Sequence, residues 1–278
     1  MRRVNEHSKR LLSLAHDYSR ELSQHEVIGE FWDRISLVLK GSVSRGNSDR
    51  YSDIDFVFFC SGQDLKRIQQ TYRQLGLTDR TDGVFIPIGD WAGHYHFESY
   101  DILQGYFDRY DFPQVWEFQH AIPIHDPGHR FSQLLEQASG EFLRDPIPYV
   151  KDQYLDLQLT LDWMRHPLKR GDSISAHLHG AKIVQGVCRM AYLLDGKSYP
   201  HDKWVSAYLP ATRFGARYGA EILAYLNAMP VSHSITPHRE LAQYPCYAKA
   251  EELIHQAGAF IREHYGEHPW IEQWYKYV

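Results

Sequence analysis

The residues with the most chemistry in this chain lie between 41 and 56, in the run Gly-Ser-Val-Ser-Arg-Gly-Asn-Ser-Asp-Arg-Tyr-Ser-Asp-Ile-Asp-Phe. Asp53 and Asp55 stand two apart, and residues so spaced in a strand share a face. Two carboxylates on one face repel unless a cation sits between them. Oxygen ligands of this kind suit Mg²⁺, which keeps several waters and is shared with substrate phosphates. Upstream, Gly41 lets the backbone approach a phosphate closely, Ser42 adds a hydroxyl, and N–H groups at a helix start complete an anion site. Arg45, in the same loop, could hold a phosphate by its planar fork. An exposed loop arginine is an equally good reading of it.

Two apolar strands must frame these residues. Ile35, Ser36, Leu37, Val38 and Leu39 precede the loop, and residues 54–60 are almost continuously apolar, as in a strand covered on both faces. Leu11, Leu12, Leu14, Ala15, Tyr18 and Leu22 give residues 7–26 the spacing of an amphipathic helix, and a second helix is expected near 64–75. Residues 83–88 and 93–107 are rich in aromatic and β-branched side chains and read as strand. Residues 121–128 read as a short final strand and a turn.

Beyond about residue 130 the pattern becomes helical. Leu155, Leu157, Leu159, Leu161 and Trp163 mark one segment, and Ile183, Val184, Val187, Met190, Ala191, Leu193 and Leu194 another. Further helices are expected over 213–228 and 247–265, with Pro146, Pro148, Pro167, Pro200, Pro210, Pro230 and Pro237 where helices begin or stop. The expected fold class is an α/β (α+β) domain with a small mixed sheet over residues 1–135, followed by an all-α bundle over 136–278.

Composition narrows the function classes. With 43% apolar residues among 278 there is material for a sizeable core. No apolar run reaches the roughly 18 residues of a membrane span, and the start, Met-Arg-Arg-Val-Asn-Glu, lacks the apolar segment of a signal peptide. A cytoplasmic location is expected. The net charge of −5 argues against broad nucleic-acid binding, which needs a basic surface to replace condensed counterions. Cys60, Cys188 and Cys246 are odd in number and far apart, so neither a disulfide framework nor a cysteine zinc site is indicated.

The pattern Gly41-Ser42, three residues, Gly46, six residues, Asp53-Ile54-Asp55 resembles the signature of the polymerase-beta-like nucleotidyltransferase superfamily. A Gly-rich loop or an Asp-x-Asp alone would be weak; the joint spacing is specific. The run 189–204, with Tyr199-Pro200 and Lys203-Trp204 after a short polar turn, resembles the helical domain that follows the catalytic domain in nucleotidyltransferases similar to aminoglycoside- and lincosamide-modifying enzymes. The resemblance implies Mg²⁺-dependent transfer of NMP from an NTP, with ATP expected, to a hydroxyl of a small acceptor, and release of pyrophosphate, the substrates meeting between the two domains. Gly41, Ser42, Arg45 and Lys203 would hold the donor. Lys203 could reach the triphosphate as a flexible point charge, or be a solvated lysine whose stem packs on Trp204.

The resemblance also implies a third acid from a neighbouring strand, to complete the metal site or take the acceptor's proton. Glu98 and Asp101 have opposite parity, so one of them at most faces the site in a regular strand. Glu98, nearer the strand centre, is the choice, with Asp53, Asp55 and Glu98 as catalytic and metal residues. His94, His96 and Glu98 share parity, but one strand cannot complete a zinc site. His177 and His179, two apart on a helix, do not share a face.

Two other classes stay open. The motif also resembles protein-AMPylating enzymes of the minimal-nucleotidyltransferase antitoxin kind. Their separate ribonuclease partners carry an Arg-six-His spacing like that of Arg170 and His177, here interrupted by Gly171. The remaining class is a non-catalytic nucleotide sensor.

Overall fold

The computed structural model describes residues 4–77, 86–88, 92–230, 235 and 239–278. The chain divides into two compact units, Met1–Phe142 and Leu143–Val278.

In the first unit, α1 (Glu6–Ser23) and the single turn α2 (Ile28–Phe31) lead into β1 (Ser36–Lys40). A four-residue helix, α3 (Gly41–Ser44), follows, then β2 (Ile54–Cys60), α4 (Gly62–Gln74), β3 (Ile86–Ile88) and β4 (Gly93–Ser99). The unit closes with α5 (Tyr100–Asp108), α6 (Phe112–Gln119), β5 (Ile122–His125) and α7 (Arg130–Glu141). The strands form one sheet in the order β3-β4-β2-β1-β5. The β2–β4 pair is parallel and the other pairs are antiparallel, so the sheet is mixed as expected. Of the strand expected over 83–88, residues 83–85 lie outside the described residues.

The sheet is covered on both faces, which is why β2 is apolar at successive positions. Leu37, Leu39, Phe56, Phe58, Tyr95 and Phe97 pack with Leu11, Ala15, Ile28, Ile68 and Tyr72 of the helices on one side. Val38, Val57 and Phe59 pack with Leu103, Phe107, Val115, Phe118 and Phe131 on the other. Cys60 is part of this interior, and burial pushes its thiol up to about 12, which leaves it inert at neutral pH.

The strand expected over 93–107 is shorter than its composition suggests. It ends at Ser99, whose hydroxyl accepts the N–H of Ile102 at 3.2 Å, and Asp101 stands in the first turn of α5. A serine cap followed by an acid complements the helix start and outweighs the strand preference of the aromatic residues.

Asp126 ties β5 to the start of α7. Burial alone would raise its carboxyl, but hydrogen bonds from Ser36 Oγ (2.7 Å), Ser132 Oγ (2.7 Å), Ser132 N (3.0 Å) and Phe131 N (3.1 Å) hold it below the ordinary value. A depressed carboxyl contributes stability above its unfolded pKa, lost as pH falls through the folded one. Asp126→Ala is therefore expected to cost about 1 kcal/mol at neutral pH. In urea melts the deficit against the parent should shrink below the ordinary carboxylate range; a deficit unchanged at low pH would contradict the ionic origin.

The second unit is helical: α8 (Ile147–Arg170), α9 (Ser173–Leu193), α10 (Asp202–Tyr208), α11 (Arg213–Ala228), α12 (Pro245–Tyr265) and the short α13 (Pro269–Glu272). The helices over 213–228 and 247–265 appear where the sequence places them, the latter two residues longer at its start. Pro167 lies inside α8 rather than at its end. Gly171, at φ +75, closes α8, and Asp172 caps α9 by accepting Ser175 N at 3.0 Å. Arg170 and His177 accordingly belong to different helices. His177 and His179 each bond by Nδ1 at 2.7 Å to a carbonyl of their own helix. Among the described residues no helix is long and apolar enough to cross a membrane.

Candidate metal centre

β1, β2 and β4, the three inner strands, bring a row of polar residues to one end of the apolar sheet. Lys40 is paired with Asp55, and Asp55 with His94. Alternation places these three on the face that carries Val38, Val57 and Phe59 further along. Asp53 lies two residues before Asp55, at the mouth of the strand. His94 Nε2 is 3.1 Å from Asp55 Oδ1, and His94 Nδ1 is 3.4 Å from Asp53 Oδ2. Asp53 is half exposed, whereas Asp55 and His94 are 25% and 20% exposed, so the site opens toward solvent at Asp53.

Burial raises the Asp55 carboxyl. Asp53 and, to a lesser degree, Glu117 push it the same way, while His94 and Lys40 oppose them. A carboxylate in this situation gains from an added cation. One ligand atom from each of Asp53, Asp55 and His94 lies within 4.8 Å of the other two, and it is the one such cluster of three among the described residues. Two carboxylate oxygens and an imidazole nitrogen at this spacing fit a divalent ion.

The glycine loop begins where β1 ends. Gly41 has φ +79, and a Cβ there would fall 2.2 Å from Asp55 Oδ2. Glycine is thus required both by the backbone and by the carboxylate pressed against it. The loop is held from outside by the start of α1. Asn5 Nδ2 donates to Ser48 O at 2.8 Å, Asn5 N to Gly46 O at 3.2 Å, and Ser48 N to Ser8 Oγ at 2.8 Å. Ser42 is buried, its hydroxyl 3.4 Å from that of Ser48.

Within the first unit, Arg45 and Glu98 sit elsewhere than their assigned roles require. Arg45 is 3% exposed. Its Nη1 donates to Glu117 Oε1 at 2.6 Å and its guanidinium lies 5.1 Å from the Trp116 ring centroid. It is an internal ion-pair partner, not an open fork for phosphate. The same Glu117 oxygen accepts Gly41 N–H at 2.7 Å. Glu98 is on the face of Asp55 but pairs with Phe59, four positions beyond His94 along β4, roughly 13 Å along the strand. Its carboxylate is bound to His96 Nε2 (3.1 Å) and Tyr106 OH (3.3 Å). His94, not Glu98, is the β4 residue beside the aspartates. Asp101 is in α5, and Lys203 is exposed at the start of α10 in the second unit.

Sequence reasoning missed Lys40 and Glu117. For His94 a signal existed, its parity with Glu98, but the β2–β4 register that chooses between them does not show in the sequence. Nothing in residues 112–119 announces that Glu117 returns to a loop 76 positions upstream.

The fold is similar to that of a nucleotidyltransferase-like protein. That structure, from Exiguobacterium sibiricum, has a TM-score of 0.50 and 10% identity over 90% of this chain and 78% of its own. No protein-family model and no curated protein matches the sequence.

Proposed function

We propose that the chain is a metal-dependent nucleotidyltransferase that moves NMP from an NTP, ATP being the expected donor, to a hydroxyl of a small acceptor. The observation that supports this most is the contact between Gly41 and Asp55, which joins a glycine loop to a cluster of metal ligands at one point. A divalent cation held by Asp53, Asp55 and His94 would neutralise charge on the phosphate oxygens during an in-line displacement. The bond from the acceptor oxygen to the α-phosphorus forms as the bond from that phosphorus to the bridging oxygen breaks. Pyrophosphate leaves with the electron pair, and the acceptor's proton passes to a carboxylate of the cluster. Gly41 and Ser42 are assigned to the donor phosphates. Hydroxylated antibiotics of aminoglycoside or lincosamide type are the first acceptors to try, on the strength of the sequence resemblance.

The test combines pure protein, a divalent cation, each NTP, and a panel of hydroxylated antibiotics with cell extract. Pyrophosphate release with a mass gain of one nucleotide on a small molecule is expected. A gain on protein would move the reading to an AMPylating enzyme.

Two observations favour a second reading, a nucleotide sensor without turnover. The His94 ring already stands between both aspartates, and Glu117 already occupies the Gly41 N–H. Nucleotide binding without pyrophosphate release under every condition would select it.

A further inference from the structure

We infer that the Asp53, Asp55 and His94 cluster selects a first-row transition dication, Mn²⁺, Co²⁺ or Zn²⁺, over Mg²⁺. The inference deepens the proposed transferase by naming its cation, but its test needs no turnover. Mg²⁺ is a hard ion that takes oxygen ligands and dehydrates reluctantly, whereas a mixed nitrogen and oxygen site gains affinity along the first-row series, least for Mn²⁺ and more for Co²⁺, and imidazole is a favoured donor to Zn²⁺. In this row the third donor is a nitrogen.

The structure leaves little freedom for an oxygen to replace it. Gly93, just before His94, is pressed against β2 so closely that a Cβ would lie 2.3 Å from Ile54 O. The two strands therefore meet tightly at the row, and the pairing of Asp55 with His94 is fixed. Glu117, beside the loop, and Glu98, four positions further along β4, are both committed elsewhere. Glu117 accepts from Gly41 N and Arg45, and Glu98 from Tyr106 while also meeting His96. Lys40, paired across from Asp55, lowers the net negative charge on which a hard ion depends.

The experiment titrates the full chain, without nucleotide, with Mn²⁺ followed by electron paramagnetic resonance, with Co²⁺ followed by its visible spectrum, and with Mg²⁺ as competitor. Mn²⁺ and Co²⁺ should bind at one site at least about tenfold more tightly than Mg²⁺, the lower end of what even changes behind the ligands do to metal affinity. Pulsed resonance of bound Mn²⁺ should show a directly coordinated imidazole nitrogen. His94→Asp should remove that coupling and turn the preference toward Mg²⁺; the titrations of the unaltered protein stand whether or not the variant folds. Equal or tighter Mg²⁺ binding, Mn²⁺ bound without nitrogen coupling, or no cation bound at all would each overturn the inference, the last leaving His94 as the aspartates' own partner. Selective binding with nitrogen coupling, but no pyrophosphate release with any substrate, would sink the transferase and leave the metal assignment standing. Turnover with an Mg²⁺ preference would do the reverse.

Discussion

Asparagine in place of Asp55 should cut the proposed nucleotidyl transfer by about 10³-fold or more, the scale on which removing one preorganised charge-stabilising group acts, while leaving the protein folded. The amide keeps the size of the carboxylate beside Gly41, so packing survives. What it loses is the charge that would hold the proposed cation. Its effect on stability runs opposite to its effect on activity. Burial and the neighbouring Asp53 raise the Asp55 carboxyl, so the folded state holds this proton more tightly than the unfolded chain does. The stability it contributes is complete below the ordinary carboxylate range and is lost as pH rises through the elevated folded pKa. Without cation, the parent should therefore lose stability relative to Asp55→Asn as pH rises through that window, and an added dication should restore it. Parallel thermal melts of the two proteins across acid to neutral pH measure the difference. A fully active Asp55→Asn protein would sink the metal centre, and a melt difference of the opposite slope would sink the electrostatic explanation.

Glu117→Ala should destabilise the first unit by about 3–5 kcal/mol, the usual consequence of removing one partner from a buried pair. Arg45 is almost wholly covered and lies 2.6 Å from Glu117, so the variant leaves a guanidinium without its carboxylate and Gly41 N–H without its acceptor. The loss comes from a covered charge deprived of its carboxylate rather than from the pair's own value. The double variant Glu117→Ala with Arg45→Met, which removes the charge and keeps an apolar stem against Trp116, should recover most of it. Urea denaturation of the three proteins decides the matter. A single-variant loss below about 1 kcal/mol would make this an ordinary surface pair.

The sequence carries the frame of the first unit because its signals are local. Continuous apolar residues over 54–60 announce a doubly covered strand, and the two-residue spacing of Asp53 and Asp55 announces a shared direction. The helix at Tyr100 was obscured because Tyr100, Ile102, Tyr106 and Phe107 favour strand, although Ser99 with Asp101 carried a cap that could have been read. What stayed hidden depends on pairing across the chain. His94 and Glu98 are equivalent by parity, and only the pairing of Asp55 with His94, not with a residue four further on, separates them. Arg45 looked available because its partner lies 72 positions away, and an acid on an amphipathic helix gives no sign of which loop it returns to.

The most direct measurement of the proposed chemistry uses ATP radiolabelled at either the α- or the γ-phosphorus, incubated with the protein, Mn²⁺ and the acceptor panel. Nucleotidyl transfer through the Asp53, Asp55 and His94 centre should place the α label on the acceptor and the γ label in pyrophosphate, with both transfers lost in Asp55→Asn. A γ label on the acceptor, or α transfer that persists in Asp55→Asn, would contradict it.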